Sequence, residues 1–131
     1  MSSFGKLSSM NSFSYNSINI YVGKFHLLKI DTEDYLVNGG LIASIGDLEI
    51  LSKAIDNQNT KNSTISYDGI ELNKGILSGE NLIFSSAIIN NKFGSITSYK
   101  NIDLTNKEII NNEDGVIKSL GEDSTISISS Q

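Results

Sequence analysis

The chain has 131 residues, carries a net charge of −5 at pH 7 and contains no cysteine, proline or tryptophan. Its ten basic residues are all lysines scattered along the sequence, so no basic stripe is visible that would bind nucleic acid or an anionic membrane. The lack of cysteine excludes disulfides and thiolate metal sites, and no apolar run is long enough to predict a transmembrane helix.

The composition predicts an all-β protein. Ile, Ser and Asn together supply 56 of the 131 positions, whereas strong helix formers such as Ala and Gln are scarce. Isoleucine favours strands because its branched side chain packs well on a pleated surface. Asparagine, serine and glycine favour the turns between strands.

The first part of the chain is weakly patterned. Residues 1–16 are rich in serine and predict an irregular leader or an N-terminal coil, and no signal peptide is visible in them. Residues 18–20 and 25–30 predict short strands, and the acidic residues 31–34 predict a corner after them. We assign residues 17–131 to a single repeat domain.

A repeat becomes clear from Gly40 onward. Fixed offsets from Gly40 select one set of residues, namely Ile42, Ser44, Leu48, Ile50, Ile55 and Asn57. The same offsets from Lys74 select Ile76, Ser78, Leu82, Phe84, Ile89 and Asn91. From Gly94 they select Ile96, Ser98, Ile102, Leu104, Ile109 and Asn111. After Gly115, Ile117 and Ser119 fit the offsets, and the later isoleucines arrive three residues late, beyond a polar corner. Residues 63–73 fit only half a unit.

A period near 20 residues indicates a stacked array rather than a closed globule. The pattern predicts a right-handed parallel β-helix, or β-solenoid, of five or six coils, with asparagine and serine ladders at the corners. An antiparallel β-sandwich would explain the alternation but not the fixed offsets. The predicted interior stack consists of Ile42, Leu48, Ile50, Ile55, Ile76, Leu82, Phe84, Ile89, Ile96, Ile102, Leu104 and Ile109.

Residues 39–50 with 54–57, and residues 75–84 with 88–91, resemble the repeat of filamentous haemagglutinin-like exoproteins. That family includes two-partner-secretion adhesins and the stick proteins of contact-dependent growth inhibition systems. The resemblance covers about residues 36–131. It implies a right-handed β-helical shaft that is secreted or displayed on the outer-membrane surface of a Gram-negative cell.

The resemblance also implies partners. An outer-membrane barrel transporter would export the full-length parent, and a host-cell or glycan receptor would bind the exposed shaft. Family members carry an N-terminal secretion domain and some carry a C-terminal toxin, and this chain contains neither. We therefore expect it to be a section of a longer shaft. A section cut at both ends exposes strand edges and is expected to associate end to end.

No residue pattern predicts catalysis, a cofactor or a metal site. His26 is the only histidine and lies in an apolar run, which is typical of a structural histidine. The acidic pairs Asp47/Glu49, Glu113/Asp114 and Glu122/Asp123 are interpreted as solvated corners, since no arginine accompanies them. Calcium at the acidic corner 31–34 is the weaker alternative for that segment.

Two aromatic residues are candidate surface contacts. Phe93 precedes a glycine and Tyr99 lies at a corner, so both are expected to be exposed. The predicted function is thus a structural and adhesive shaft segment without catalysis. The alternatives are a free-standing carbohydrate-binding module and, less favoured, a short β-helical enzyme acting on polysaccharides, which would need several converging acids.

Overall fold

A computed structural model of the chain describes residues 4–8, 18–23, 27–31, 35–67 and 69–130. Within these ranges every regular element is a β-strand, and no helix there could span a membrane. In chain order the strands are β1 (Phe4–Ser8), β2 (Ile18–Gly23), β3 (Leu27–Asp31), β4 (Tyr35–Ser44), β5 (Asp47–Leu51), β6 (Ala54–Asp56), β7 (Thr64–Tyr67), β8 (Ile70–Asn73), β9 (Gly75–Ser78), β10 (Leu82–Phe84), β11 (Ile88–Asn90), β12 (Ser95–Ser98), β13 (Ile102–Lys107), β14 (Ile109–Asn111), β15 (Val116–Ser119) and β16 (Ile126–Ser130).

The strands form three parallel ladders. Sheet A has the order β1-β3-β5-β10-β13-β16. Sheet B contains β2, β4, β9, β12 and β15, and sheet C contains β4, β6, β11 and β14. The ten-residue strand β4 pairs in both sheets, with β6 through its first half and with β9 through its second. The antiparallel sandwich is therefore wrong, and the protein is all-β with mostly parallel strands.

The strand register follows the sequence offsets. In sheet B, Ile76 pairs with Ile42 on one side and with Ile96 on the other. In sheet A, Leu82 pairs with Leu48 and with Ile102. The late isoleucines of the last repeat also fall into register, because Ile126 pairs with Ile102 and Ile128 with Leu104 beyond the inserted corner. Equivalent residues of successive repeats therefore lie side by side.

The interior is a stack of aliphatic side chains between the sheets. Eleven of the twelve residues of the predicted interior stack are at most 3% exposed, and Ile30 and Leu36 of the preceding repeat join them. Burying an isoleucine or leucine side chain contributes roughly 1.5–3 kcal/mol. The stack is therefore the main apolar core of the described residues.

The prediction that Ile109 belongs to the interior stack is wrong. Its side chain is 54% exposed, and Ile110 packs against the core in its place. Register explains the difference: Leu82 pairs with Ile102, but Ile89 pairs with Ile110, so the later repeat has gained one residue between these positions. Since side chains alternate across a strand, a one-residue slip exchanges the inward and outward positions.

The half-unit at residues 63–73 is an antiparallel hairpin made by β7 and β8. Thr64 pairs with Asn73 and Tyr67 with Ile70, so a two-residue turn containing Gly69 joins the strands. Gly69 has a φ of 78°, a conformation that glycine adopts without steric cost. The hairpin is inserted between two repeats of the parallel array and does not itself form a repeat.

Asparagine side chains form a ladder where sheet C passes into sheet B, and all of its members but the last are buried. The Asn38 amide donates to Oδ1 of Asn57 at 2.8 Å, Asn57 to Asn91 at 2.7 Å and Asn91 to Asn112 at 2.7 Å. The predicted asparagine ladder is therefore confirmed, whereas the corner serines Ser78 and Ser98 donate to backbone carbonyls instead of to one another. The last member of the ladder is Asn112 instead of Asn111, for the same one-residue slip that displaces Ile109.

Candidate functional site

The two predicted surface contacts, Phe93 and Tyr99, are both exposed, at 41% and 52%. They lie at opposite ends of β12, so the structure does not bring them together on one platform. Lys92 holds its Nζ atom 5.9 Å from the centroid of the Phe93 ring, a cation–π distance. Tyr99 occupies the same corner position as the exposed Leu120, because the Tyr99 N–H donates to the carbonyl of Ser78 and the Leu120 N–H to the carbonyl of Ser98.

The acidic residues contact neighbouring repeats rather than converge on a site. The prediction of a solvated corner at Asp47 and Glu49 is wrong, because both lie in strand β5 and are half-buried. Oδ1 of Asp47 accepts hydrogen bonds from both the backbone N–H and the side-chain amide of Asn81, at 2.9 and 3.2 Å. Glu49 lies 3.8 Å from the Nζ atom of Lys29 in the neighbouring strand. Glu113 pairs loosely with Lys92, at 4.0 Å. These carboxylates therefore link successive repeats.

Lys107 is a buried charged residue. It is only 3% exposed, and its Nζ atom donates a 2.6 Å hydrogen bond to the carbonyl oxygen of Phe84. Pairing between β10 and β13 stops after Ile83 and Asp103, where the extra residue enters. The lysine thus supplies a donor to a carbonyl at the point where the strand ladder ends.

Asp103 lies on the same strand as Lys107, β13, and binds the backbone there. Its Oδ1 atom accepts the backbone N–H of Thr105 at 2.9 Å and the Thr105 hydroxyl at 2.7 Å. These hydrogen bonds lower the pKa of Asp103 below its ordinary value. Desolvation lowers the pKa of Lys107, and the nearby Asp103 carboxylate partly opposes that shift.

A depression of about 370 Å³ adjoins this pair and is lined by Ser85, Ser86, Asp103, Thr105 and Lys107, among others. The Ser86 hydroxyl lies 2.7 Å from that of Ser52, and the Thr105 hydroxyl is held by Asp103. The polar groups around Lys107 are therefore engaged with one another. We interpret this cluster as the structural accommodation of the extra residue.

A second polar region lies over the outer face of sheet B, at the base of the β7–β8 hairpin. A depression of about 250 Å³ there is lined by Thr60, Lys61, Asn62, Asn73, Lys74, Ser95, Val116 and Lys118. The lysines are scattered in the sequence, and this cluster is not visible there because its members come from the insertion and from a later repeat. The feature of the sequence that could have indicated the cluster is the irregular segment at residues 63–73, which fits only half a repeat.

Other predicted features lie partly outside the described residues. His26 and residues 32–34 of the acidic corner belong to this group, so the structural histidine and the calcium alternative stay predictions. Within the described ranges, no three His, Cys, Asp or Glu side chains gather closely enough to hold a metal ion.

Comparisons with known proteins give no relative to set beside this geometry. No family model matches the chain. No curated protein and no solved structure matches it either.

Proposed function

We propose that the chain is a section of a right-handed parallel β-helix that acts as a structural shaft without catalysis. The observation that carries the proposal is the asparagine ladder, which continues through four successive repeats. Parallel strands of one sheet are joined by right-handed connections in nearly all proteins, which supports the handedness.

Asn57 and Asn91 each join their own repeat to a later one. Asn57 donates one N–H to Asn91 and another to the backbone carbonyl of Ser95 at 3.0 Å. Asn91 repeats the arrangement with Asn112 and the carbonyl of Val116, at 2.7 and 3.1 Å. Such an interaction between neighbours can be repeated without limit, which is the property that an elongated shaft requires.

Engineered disulfides test the helical stacking. Glu49 and Ile83 are registered neighbours on the outer face of sheet A, so Glu49→Cys with Ile83→Cys should form a disulfide on mild oxidation. Lys29→Cys with Ile83→Cys is the matched control, because these positions are separated by the intervening strand β5. Efficient bonding in the control pair, or none in the first pair, would refute the stacking.

We further propose, from the resemblance to haemagglutinin-like exoproteins, that the shaft is exported and displayed at the cell surface. Its export would use an outer-membrane transporter, and an exposed shaft could contact a host-cell or glycan receptor. The test is an immunoblot of fractionated native cells with an antibody against this chain. A band of high molecular mass in the outer-membrane or culture fraction supports the proposal, and a band confined to the cytosol overturns it.

The isolated 131-residue chain should also associate end to end. Strands β14, β15 and β16 each pair on one side only among the described strands, so their outer edges offer unpaired backbone groups. Sedimentation velocity over a range of concentrations should show dimers and higher species. Monodisperse monomer at high concentration would contradict this expectation.

A further inference from the structure

We propose that the outer face of sheet B is a binding groove for a short carboxylated oligosaccharide of the uronate class. This sheet B groove consists of the depression at the hairpin base and a second one beside it. The second has a volume of about 220 Å³ and includes Leu77, Thr97 and Leu120 in its lining. The inference goes beyond the shaft function and does not depend on export of the chain.

The two depressions adjoin each other. Both are lined by Asn73, Lys74, Ser95 and Lys118. The first lies at the start of β12 and β15, and the second reaches Thr97, near the end of β12. The second depression also reaches from Leu41 of β4 to Lys118 of β15, so the groove extends across the strands of sheet B. It has the extended form that a linear chain of sugars would fill.

The inserted hairpin builds the groove. Lys61 and Asn62 lie just before β7, and Asn73 and Lys74 lie at and after the end of β8. The backbone N–H of Lys74 donates to the carbonyl of Ser63 at 2.9 Å, which closes the base of the hairpin. Two lysines and two amides are thus placed together by one irregular segment, and Lys118 of β15 adds a third cation across the groove.

The charge of the groove is uncompensated. No carboxylate lines either depression, and none of its three lysines forms an ion pair among the described residues. The Lys61 ammonium donates to the backbone carbonyl of Asp114, which is a neutral acceptor. In a chain of net charge −5, this local concentration of positive charge favours an anionic ligand.

The remaining lining selects the type of anion. Leu77 and Val116 offer apolar surface, while Asn62, Asn73 and Thr97 offer amides and a hydroxyl. A uronate chain presents matching groups, namely apolar ring faces, hydroxyls and one carboxylate on each sugar. Duplex DNA carries one charge per ~1.7 Å of its axis, and a chain of net charge −5 would repel so dense an anion.

The experiment is titration calorimetry of the full chain with a short oligogalacturonate at low ionic strength. Its fully methyl-esterified form is the uncharged reference ligand, and an acidic peptide and a short oligonucleotide of equal charge are the competing classes. The groove variant combines Lys61→Gln, Lys74→Gln and Lys118→Gln. The control variant combines Lys53→Gln, Lys92→Gln and Lys100→Gln, which gives the same net charge but leaves the groove intact.

We expect the oligogalacturonate to bind the parent chain and the control variant alike, and to bind the groove variant at least about tenfold more weakly, or about 1.4 kcal/mol. The esterified ligand should not bind. Equal binding by the acidic peptide or the oligonucleotide would overturn the assignment to a uronate, as would an equal loss in both variants or no binding to the parent. Thermal unfolding of both variants establishes that each is folded before the titrations are compared.

Discussion

The Asn57 side-chain amide donates a 2.7 Å hydrogen bond to Oδ1 of Asn91 in the next repeat of the parallel array. Both residues are fully buried. Each also donates to a backbone carbonyl, Asn57 to that of Ser95 and Asn91 to that of Val116. The two amides thus supply hydrogen bonds to carbonyls at the corner. The ladder therefore stabilises the register of the repeats, beyond what apolar packing alone specifies.

Asn91→Ala should lower the free energy of unfolding by about 2–4 kcal/mol, because the Asn57 amide and the Val116 carbonyl lose buried partners. Asn111→Ala is the control, since among the described residues its side chain accepts only the exposed Glu113 N–H, and its loss should cost under about 1 kcal/mol. Urea unfolding followed by circular dichroism measures both. Equal effects would place Asn111 in the ladder and contradict the register.

Ile102→Asp should destabilise the fold by more than about 4 kcal/mol, because it buries an unpaired carboxylate between Leu82 and Ile126. Ile109→Asp at the exposed position should stay within about 0.5 kcal/mol of the parent. Thermal unfolding compares the two variants. If Ile102→Asp melts within a degree or two of the parent, Ile102 does not belong to the interior.

Lys107→Met should change how stability depends on pH. The pKa of Lys107 is lowered in the folded state, so between that pKa and the ordinary value of 10.5 the unfolded chain binds more protons. Rising pH therefore stabilises the parent in this window, and the variant lacks that contribution. In urea unfolding from neutral pH to about 10.5, the free energy of unfolding of the parent should increase relative to that of the variant. A constant difference across the window would contradict the burial of the ammonium.

Gly94→Ala should destabilise the protein by several times more than Gly69→Ala. A Cβ atom at Gly94 would overlap the Asn91 side chain and the Asn57 carbonyl, and so press on the ladder. At Gly69 there is open space, and only its positive φ opposes alanine, at a cost of about 1–2 kcal/mol. Chemical denaturation of both variants gives the comparison. A larger effect at Gly69 would mean that the corner at Gly94 is loosely packed.

Much of the strand pairing could be predicted from the sequence. Ile42, Ile76 and Ile96 occupy one offset in successive units, and they are neighbours in sheet B. The offset carries over because parallel strands in register place equivalent residues side by side, at a spacing set by the backbone. A repeat in sequence therefore becomes a repeat in space whenever no residue is added or lost within a unit.

The hairpin at residues 64–73 was not recognised, although Gly69 lies at a position typical of a two-residue turn. Its strands are short and alternate like those of the repeats, so periodicity alone did not separate them. The clustering of the lysines in the sheet B groove could not be predicted for the same reason. Their proximity depends on where the inserted hairpin begins and ends relative to the parallel strands.

The sequence by itself determined the strand class, the repeat and nearly all of the buried aliphatic stack, because these depend on local alternation and on offsets that backbone geometry preserves. Only the tertiary structure decided where the extra residue between Ile102 and Ile110 is absorbed. An insertion can be accommodated before or after a strand with little local difference. The choice rests on distant partners, here the Phe84 carbonyl that Lys107 reaches and the Asn91 side chain that selects Asn112.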